Sequence, residues 1–87
     1  MNGYQVEYSR SARKELERLP AAVVERIASA VRALKQNPRP RGCLKLQGEE
    51  AAYRIRVGDY RVVYEVNDEI RIVLVARVRH RKDAYQN

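Results

Sequence analysis

The sequence predicts an α+β fold in which two helices pack on one face of a mostly antiparallel sheet. Three observations carry this prediction. Apolar residues recur every three or four positions between residues 12 and 34, which is the spacing of one helix face. They alternate with polar residues between 53 and 78, as in strands, and a Gly-Asp pair at 58–59 marks a tight turn. The predicted order is an N-terminal strand, a two-helix hairpin and a three-stranded antiparallel meander.

The first predicted elements are a short strand and a helix. Tyr4, Val6 and Tyr8 alternate with polar residues, which is typical of a half-buried strand. Ser9 follows, and its hydroxyl can accept a hydrogen bond from the first turn of a helix, so we expect it to be the N-cap. The helix has one apolar face, formed by Ala12, Leu16 and Leu19.

Pro20 separates the first predicted helix from the second. A proline interrupts a helix, but it is tolerated in the first turn of the next one. The run Asn37-Pro38-Arg39-Pro40 ends the second helix, because each proline disfavours a helical conformation at the residue before it. We expect residues 41–52 to form a loop. The second helix also has one apolar stripe, formed by Val24, Ile27, Val31 and Leu34.

Three strands are predicted at about residues 53–57, 60–66 and 70–78. A type II′ turn at Gly58-Asp59 pairs Arg56 with Arg61 and Tyr53 with Tyr64. For the second hairpin, a two-residue turn would place arginines on the apolar face, and a one-residue shift exchanges the two faces of a strand. We therefore expect a three-residue loop at 67–69, which pairs Glu65 with Arg71. The residues that this register adds to the helix-covered face are Ile70, Ile72, Leu74, Ala76 and Val78.

The opposite face of the predicted sheet is rich in arginine. Like charges on paired strands destabilise the pair, so an anionic ligand is expected there. Guanidinium groups bind phosphate through paired hydrogen bonds. The alternative is a solvated face on which the arginine stems shield Val63, Val73 and Val75; these valines also suggest cover by a partner. The arginines in question are Arg54, Arg56, Arg61, Arg77 and Arg79.

The size and charge of the chain limit its functions. With 87 residues we expect a single domain, residues 1–87, around one core. The 18 lysines and arginines against 11 aspartates and glutamates give a net charge of +7, which favours nucleic acid or an acidic protein as partner. One cysteine and one histidine provide neither a disulfide framework nor a zinc site. No apolar run approaches the ~18 residues of a membrane span and no signal peptide is evident, so we expect a cytoplasmic protein without membrane contact.

The C-terminal segment adds groups that could take part in a reaction. His80, Arg81 and Tyr85 place an imidazole, a guanidinium and a phenol close to the end of the sheet. RNA can be cleaved when its own 2′-hydroxyl attacks the adjacent phosphate, provided that cations surround the transition state and a proton acceptor and donor are present. This chemistry needs no metal ion or cofactor. The sequence leaves open whether His80 or Tyr85 transfers the proton.

Three motifs of the chain resemble the corresponding motifs of the RelE-type toxins, which belong to the RelE/ParE toxin-antitoxin superfamily. They are KLQG at residues 45–48, YRIRVGDYRVVYEV from residue 53 and RVRHRKDAY from residue 77. The element order is similar over nearly the whole chain. The resemblance implies a RelE-like fold, similar to small microbial ribonucleases. It also implies a metal-independent endoribonuclease that cleaves mRNA in the ribosomal A site, inhibits translation and is held inactive by a cognate antitoxin, RelB-like or similar.

The resemblance assigns roles to individual residues. Arg61 and Arg81 match the arginines placed at the scissile phosphate, and Tyr85 matches a tyrosine implicated in catalysis and base stacking. Arginine does not readily lose its proton, so Arg54 and Arg56 are not expected to act as the general base. The expected candidates for that role are Tyr85 and His80. Arg79 stands where many relatives have glycine. The expected RNA-binding residues are Lys45, Arg54, Arg56, Arg77 and Arg79.

Two other functions stay open. A ParE-like toxin would inhibit DNA gyrase by binding, although such toxins generally lack the paired C-terminal arginine and tyrosine. A non-catalytic RNA-binding or ribosome-binding module would use the same arginines for phosphate alone, with affinity that falls steeply with salt.

Overall fold

The computed structural model describes residues 3–48 and 51–84. The strands of these residues form one sheet in the order β1-β5-β4-β3-β2, with β1 parallel to β5 and the other neighbours antiparallel. The predicted α+β class, helical hairpin and meander are confirmed, whereas the predicted loop at 41–52 contains a short edge strand, β2. The elements are β1 (Gln5–Tyr8), α1 (Arg10–Glu17), α2 (Ala21–Ala33), β2 (Leu44–Lys45), β3 (Ala52–Val57), β4 (Tyr60–Asn67), β5 (Ile72–His80) and α3 (Arg81–Ala84).

The two long helices begin where the sequence predicts. The Ser9 hydroxyl accepts a hydrogen bond from the Ala12 amide at 3.0 Å, so Ser9 is the N-cap of α1. Pro20 directly precedes α2. The helices pack against the sheet, α1 along β5 and α2 against β3. The fully buried side chains of the resulting core include Ala12, Ile27, Val31 and Leu34 from the helical segment and Val62, Tyr64, Val73 and Val75 from the sheet.

The hairpin of β3 and β4 has the predicted register. Arg56 pairs with Arg61, Tyr53 pairs with Tyr64, and the turn lies at residues 58–59. Gly58 has a φ of 59°, a left-handed value that glycine adopts without the steric cost of a Cβ atom. The face that carries Arg56 and Arg61 is therefore assigned correctly on these two strands.

The predicted register of β4 and β5 is wrong. Asn67 pairs with Ile72, so the loop contains four residues rather than three, and Glu65 pairs with Leu74 instead of Arg71. Ile72 and Leu74 consequently lie on the face opposite the helices. Val73 and Val75, expected among the arginines, are fully buried under the helices.

The geometry of the loop and an irregularity in the ladder explain the difference. The Asn67 side chain accepts hydrogen bonds from the amides of Glu69 and Ile70, and Arg71 adopts a φ of 59°. These hydrogen bonds and the left-handed conformation of Arg71 stabilise a four-residue turn, one residue longer than the turn predicted from the alternation of apolar and polar residues. A shift between Val63 and Tyr64 then restores Arg77, Val78 and Arg79 to their predicted faces, because the extra residue of a β-bulge reverses the alternation of the strand beyond it.

Tyr64 links the core to the loop that follows α2. Its side chain is fully buried, and its hydroxyl donates a hydrogen bond to the Pro38 carbonyl at 2.7 Å. Burial raises the pKa of this phenol above its ordinary value of 10.0. The protonated phenol therefore stabilises the fold fully below about pH 10, and this contribution is lost as the pH rises through the folded-state pKa.

Tyr64→Phe is expected to lower the free energy of unfolding by about 1–2 kcal/mol at pH 7, because the buried Pro38 carbonyl loses its donor. The variant should also lose less stability than the wild type between pH 9 and pH 11, since no phenol remains at position 64 to ionise. Urea unfolding followed by circular dichroism across this range measures both effects. Equal losses for the two proteins above pH 10 would contradict this account of Tyr64.

Candidate functional site

The observed sheet carries five arginines on the face turned away from the helices, which we call the arginine face. Its central row runs across three strands, because Arg56 of β3 pairs with Arg61 of β4 and Arg61 pairs with Arg79 of β5. A second row holds Arg54 and Arg77 on either side of Val63. The sequence predicts the same five members, although the structure reaches this arrangement through a different register.

Arg61 is the most deeply placed cation of the arginine face. Only 7% of Arg61 is exposed, whereas Arg56 beside it is exposed and its Nε donates to the Gly58 carbonyl at 3.2 Å. A guanidinium at this depth is largely removed from water, so its field is less screened than that of a surface cation. An anion that reaches the centre of the row would therefore interact strongly with Arg61.

Glu15 of α1 lies beside the arginine face and was not singled out from the sequence. Its Oε2 accepts from Arg77 Nη2 at 2.7 Å and from Arg77 Nε at 3.0 Å, and it lies 4.0 Å from Arg79 Nε. The hydrogen bonds that Arg77 donates to Glu15 raise the pKa of Arg77. Glu15 follows Ala12 of the apolar stripe by three residues, and this position next to a buried face was the available signal.

The end of β5 carries two further predicted residues. His80 pairs with Tyr60, and their rings meet edge to face with centroids 5.2 Å apart. By the register, His80 lies on the helix side of the sheet rather than on the arginine face. Arg81 follows as the first residue of α3, with an exposed side chain and an amide that donates to the Asp59 carbonyl at 2.7 Å. This hydrogen bond joins the start of α3 to the turn that precedes Arg61.

Two predicted residues lie apart from this arrangement. Lys45 is exposed on β2 and pairs with Tyr53, so the register places it on the face opposite Arg54, which pairs with Leu44. Tyr85 lies outside the described residues. The described members of the predicted site that share the arginine face are Arg54, Arg56, Arg61, Arg77 and Arg79, while His80 and Arg81 lie at its end.

An apolar groove occupies the other end of the same sheet face. It encloses about 300 Å³ and is lined by Ile70, Ile72 and Leu74, with Glu7 and Glu65 among its polar residues. Ile70 is 63% exposed, and together with Ile72 and Leu74 it forms a contiguous apolar patch of the kind that marks interaction sites. The face is thus divided into a cationic part and an apolar part that carries carboxylates.

The described residues contain no group of three or more histidine, cysteine, aspartate or glutamate side chains that could hold a metal ion. Within the same ranges, no helix is long and apolar enough to cross a membrane.

The fold and the arginine face define a small basic α+β protein with a cationic sheet face. The chain belongs to the family described as ParE toxin of type II toxin-antitoxin system, parDE, whose model matches residues 6–85. Its relatives place it among the RelE-type toxins of the RelE/ParE superfamily, as the resemblance predicted.

Three comparisons illustrate this relationship. The chain is 31% identical over 87 residues to the putative toxin RelE1 of Methanocaldococcus jannaschii, covering 97% of both proteins. It is similar to a chain of the archaeal RelE-RelB complex from Pyrococcus horikoshii OT3, with 32% identity, a TM-score of 0.81 and coverage of 93% of this chain and 97% of that one. For the intact RelBE toxin-antitoxin complex of E. coli the identity is 31%, the TM-score 0.77 and the coverage 86% and 93%.

Proposed function

We propose that this toxin is a ribosome-dependent endoribonuclease that cleaves mRNA in the A site and thereby inhibits translation. The observation that carries the proposal is the row of Arg56, Arg61 and Arg79 with a deeply buried guanidinium at its centre. Such a row costs stability unless it serves an anion, and the phosphates of a polynucleotide are spaced to meet several cations at once. The RelE-type relatives support this assignment. On this proposal the toxin acts in the cytoplasm, where translating ribosomes are found.

The proposed reaction uses the RNA itself as nucleophile. The 2′-hydroxyl loses its proton and attacks the adjacent phosphorus, and the bond to the 5′-oxygen of the next nucleotide breaks as that oxygen gains a proton. The products are a 2′,3′-cyclic phosphate and a 5′-hydroxyl. Arg61 and Arg81 stabilise the negative charge that accumulates on the phosphoryl oxygens, a kind of contact worth about 3–4 kcal/mol when one donor is removed.

Proton transfer is assigned to His80 and Tyr85 as candidates. The Nδ1 atom of His80 accepts a hydrogen bond from the Lys82 amide at 3.2 Å, so in the neutral imidazole the proton is carried by Nε2. His80 could donate a proton from Nε2, but the register places it on the helix side of the sheet, so it would serve only a substrate strand that passes around the end of β5. Tyr85 keeps the role that the family resemblance implies, as a second proton-transfer group or a stacking partner for a base.

A reconstituted translation reaction tests the proposal. Primer extension on mRNA from stalled ribosomes should show cuts within A-site codons when toxin is present, and none when the same mRNA is incubated with toxin but without ribosomes. Intact mRNA on toxin-treated ribosomes would reject the nuclease function.

The matching family is described as ParE toxin, and the resemblance to ParE-like toxins implies one alternative function, the inhibition of DNA gyrase by binding. A supercoiling assay with purified gyrase, run beside the primer extension, separates the two functions. Inhibition of supercoiling with uncut mRNA would select the gyrase function. Tight, salt-sensitive RNA binding without cleavage or gyrase inhibition would indicate a non-catalytic module instead.

We further propose a cognate antitoxin as the partner of the divided sheet face. Relatives of similar fold have been crystallised with RelB antitoxins. An acidic segment suits the arginine face, as expected from the sequence. Val63 lies on this face as predicted, but the other apolar residues that the antitoxin would cover are Ile72 and Leu74 rather than Val73 and Val75. Because Glu7 and Glu65 flank the groove, the part of the antitoxin that enters it should carry an apolar side chain with a lysine or arginine nearby.

Ile70→Asp is expected to weaken antitoxin binding at least tenfold while leaving cleavage unchanged, because it places a third carboxylate beside an apolar groove that is remote from Arg61. Titration calorimetry with the cognate antitoxin and the cleavage assay measure the two effects. Ala22→Asp, at an exposed apolar residue of α2 on the other side of the sheet, is the control and should change neither. Equal antitoxin affinity for Ile70→Asp and wild type would place the antitoxin elsewhere.

A further inference from the structure

Residues of the β1–α1 segment bind the edge of β5 beyond the end of β1. Strand β1 pairs with β5 only as far as Val75. The Ser9 hydroxyl then donates to the Ala76 carbonyl at 2.8 Å, and the Val78 amide donates to Glu15 Oε1 at 2.6 Å. Glu15 thus holds the backbone of the residue that directly precedes Arg79.

The second oxygen of Glu15 is directed at side chains of the arginine face. Oε2 binds Arg77 through two N–H groups and lies 4.0 Å from Arg79 Nε. The Glu15 side chain is 23% exposed and that of Arg79 is 30% exposed, so this pair is partly shielded from water and less screened than a surface pair.

Glu15, Arg79 and Arg61 follow one another in one line across the sheet. Glu15 of α1 lies on one side of β5, Arg79 projects from β5, and Arg61 is its cross-strand neighbour on β4. Without a carboxylate at the end of this line, repulsion from Arg61 and Arg56 would drive the Arg79 side chain outward. Glu15 provides the opposing attraction.

We propose that Glu15 is a positioning residue for the cleavage reaction: it fixes Arg79 beside Arg61 so that both cations meet the phosphate that is cleaved. This inference rests on the proposed nuclease function. On this proposal Glu15 contacts neither RNA nor the reacting atoms and acts through Arg79. Its negative charge also opposes RNA binding as such, so its loss affects affinity and rate in opposite directions.

Glu15→Gln keeps the size of the side chain and an oxygen for the Val78 amide, but removes the charge. Its single-turnover cleavage rate on ribosome-bound mRNA should fall about tenfold or more, because a small misplacement of a catalytic contact has effects of this order. Its affinity for a 2′-O-methyl RNA, which cannot be cut, should rise. The slope of log affinity against log salt should steepen by up to about 0.7, which is the change for one additional phosphate contact on a single strand.

Two further variants distinguish a positioning role of Glu15 from a general effect of removing one negative charge. Glu17→Gln removes the same charge from an exposed site on α1 and should not lower the cleavage rate. In an Arg79→Ala background, Glu15→Gln should cost less than twofold in rate, since two residues that act through one contact are not additive. Circular dichroism melting checks that each variant is folded.

The outcomes distinguish this inference from the proposed function. If Glu15→Gln lowers both rate and RNA affinity, or lowers the rate equally with and without Arg79, the positioning role is wrong. If the wild type does not cleave at all, the nuclease function fails first. In that case nuclear magnetic resonance still tests the Glu15 contacts, because the Arg77 Nε–H group, which is hydrogen-bonded to Glu15, should exchange faster with solvent in Glu15→Gln than in Glu17→Gln.

Discussion

Replacing Arg61 with alanine is expected to reduce cleavage of ribosome-bound mRNA by about 10²–10³-fold, the effect of deleting one donor that binds a transition-state oxyanion. Arg61 is the arginine with the least exposed surface on the arginine face and stands between two other cations. Its loss removes the centre of the charge that faces the phosphate. Single-turnover primer extension measures the effect directly, and growth of cells that express the variant gives an independent readout.

Because Arg61 is buried, alanine also leaves a gap, and a second variant controls for it. Arg61→Met retains a long aliphatic stem without the charge, so it should keep the fold and lose cleavage to a similar extent. Arg41→Ala removes an exposed arginine outside the arginine face and should cleave within about threefold of the wild type. Cleavage by a folded Arg61→Met protein at the wild-type rate would exclude Arg61 from the reaction.

The second large effect concerns stability and tests the register of β5. Val75→Lys should leave the protein unfolded at 25 °C, because Val75 has no exposed surface and pairs with buried Tyr64. A buried charge without a partner costs about 3–5 kcal/mol and the lost burial of valine about 2 kcal/mol more, close to the total stability of a small domain. Loss of the far-ultraviolet and near-ultraviolet circular dichroism signals would show that Val75→Lys is unfolded.

The adjacent residue provides a matched comparison. Leu74→Lys places the same charge on the other face, between Glu7 and Glu65 of the neighbouring strands. The attraction of these carboxylates compensates part of the lost burial, so the free energy of unfolding should fall by no more than about 1–2 kcal/mol. The register expected from the sequence predicts the reverse order of stability. A folded Val75→Lys protein beside an unfolded Leu74→Lys protein would therefore reject the observed register.

Much of this fold follows from local patterns, because local interactions determine its elements. The Ser9 cap, the break at Pro20 and the turn at Gly58 each depend on the conformational preferences of one or two residues, and all three occur where the sequence indicates. The hairpin of β3 and β4 follows for the same reason, since a two-residue turn fixes the register of its strands.

The register of β5 could not be derived in this way, because it depends on distant partners. Val73 and Val75 are buried through their pairing with β1, from which more than 60 residues separate them, and a bulge then reverses the alternation. A pattern of period two cannot reveal a bulge, since both faces of this strand contain apolar residues. The role of Glu15 is hidden for the same reason, as its contacts with Arg77 and Val78 also span more than 60 positions.

The parallel pairing of β1 with β5 has a consequence for the synthesis of the protein. The first strand to be made lies at one edge of the sheet, and the strand that it needs as a neighbour is made after all the others. Until β5 leaves the ribosome, β1 and α1 have no surface to pack on, and contacts of such long range form late in folding. The arginine face also lacks Arg77 and Arg79 until then. The pairing of β1, the docking of α1 and the arginine face are therefore completed in the same late step, when β5 joins the sheet.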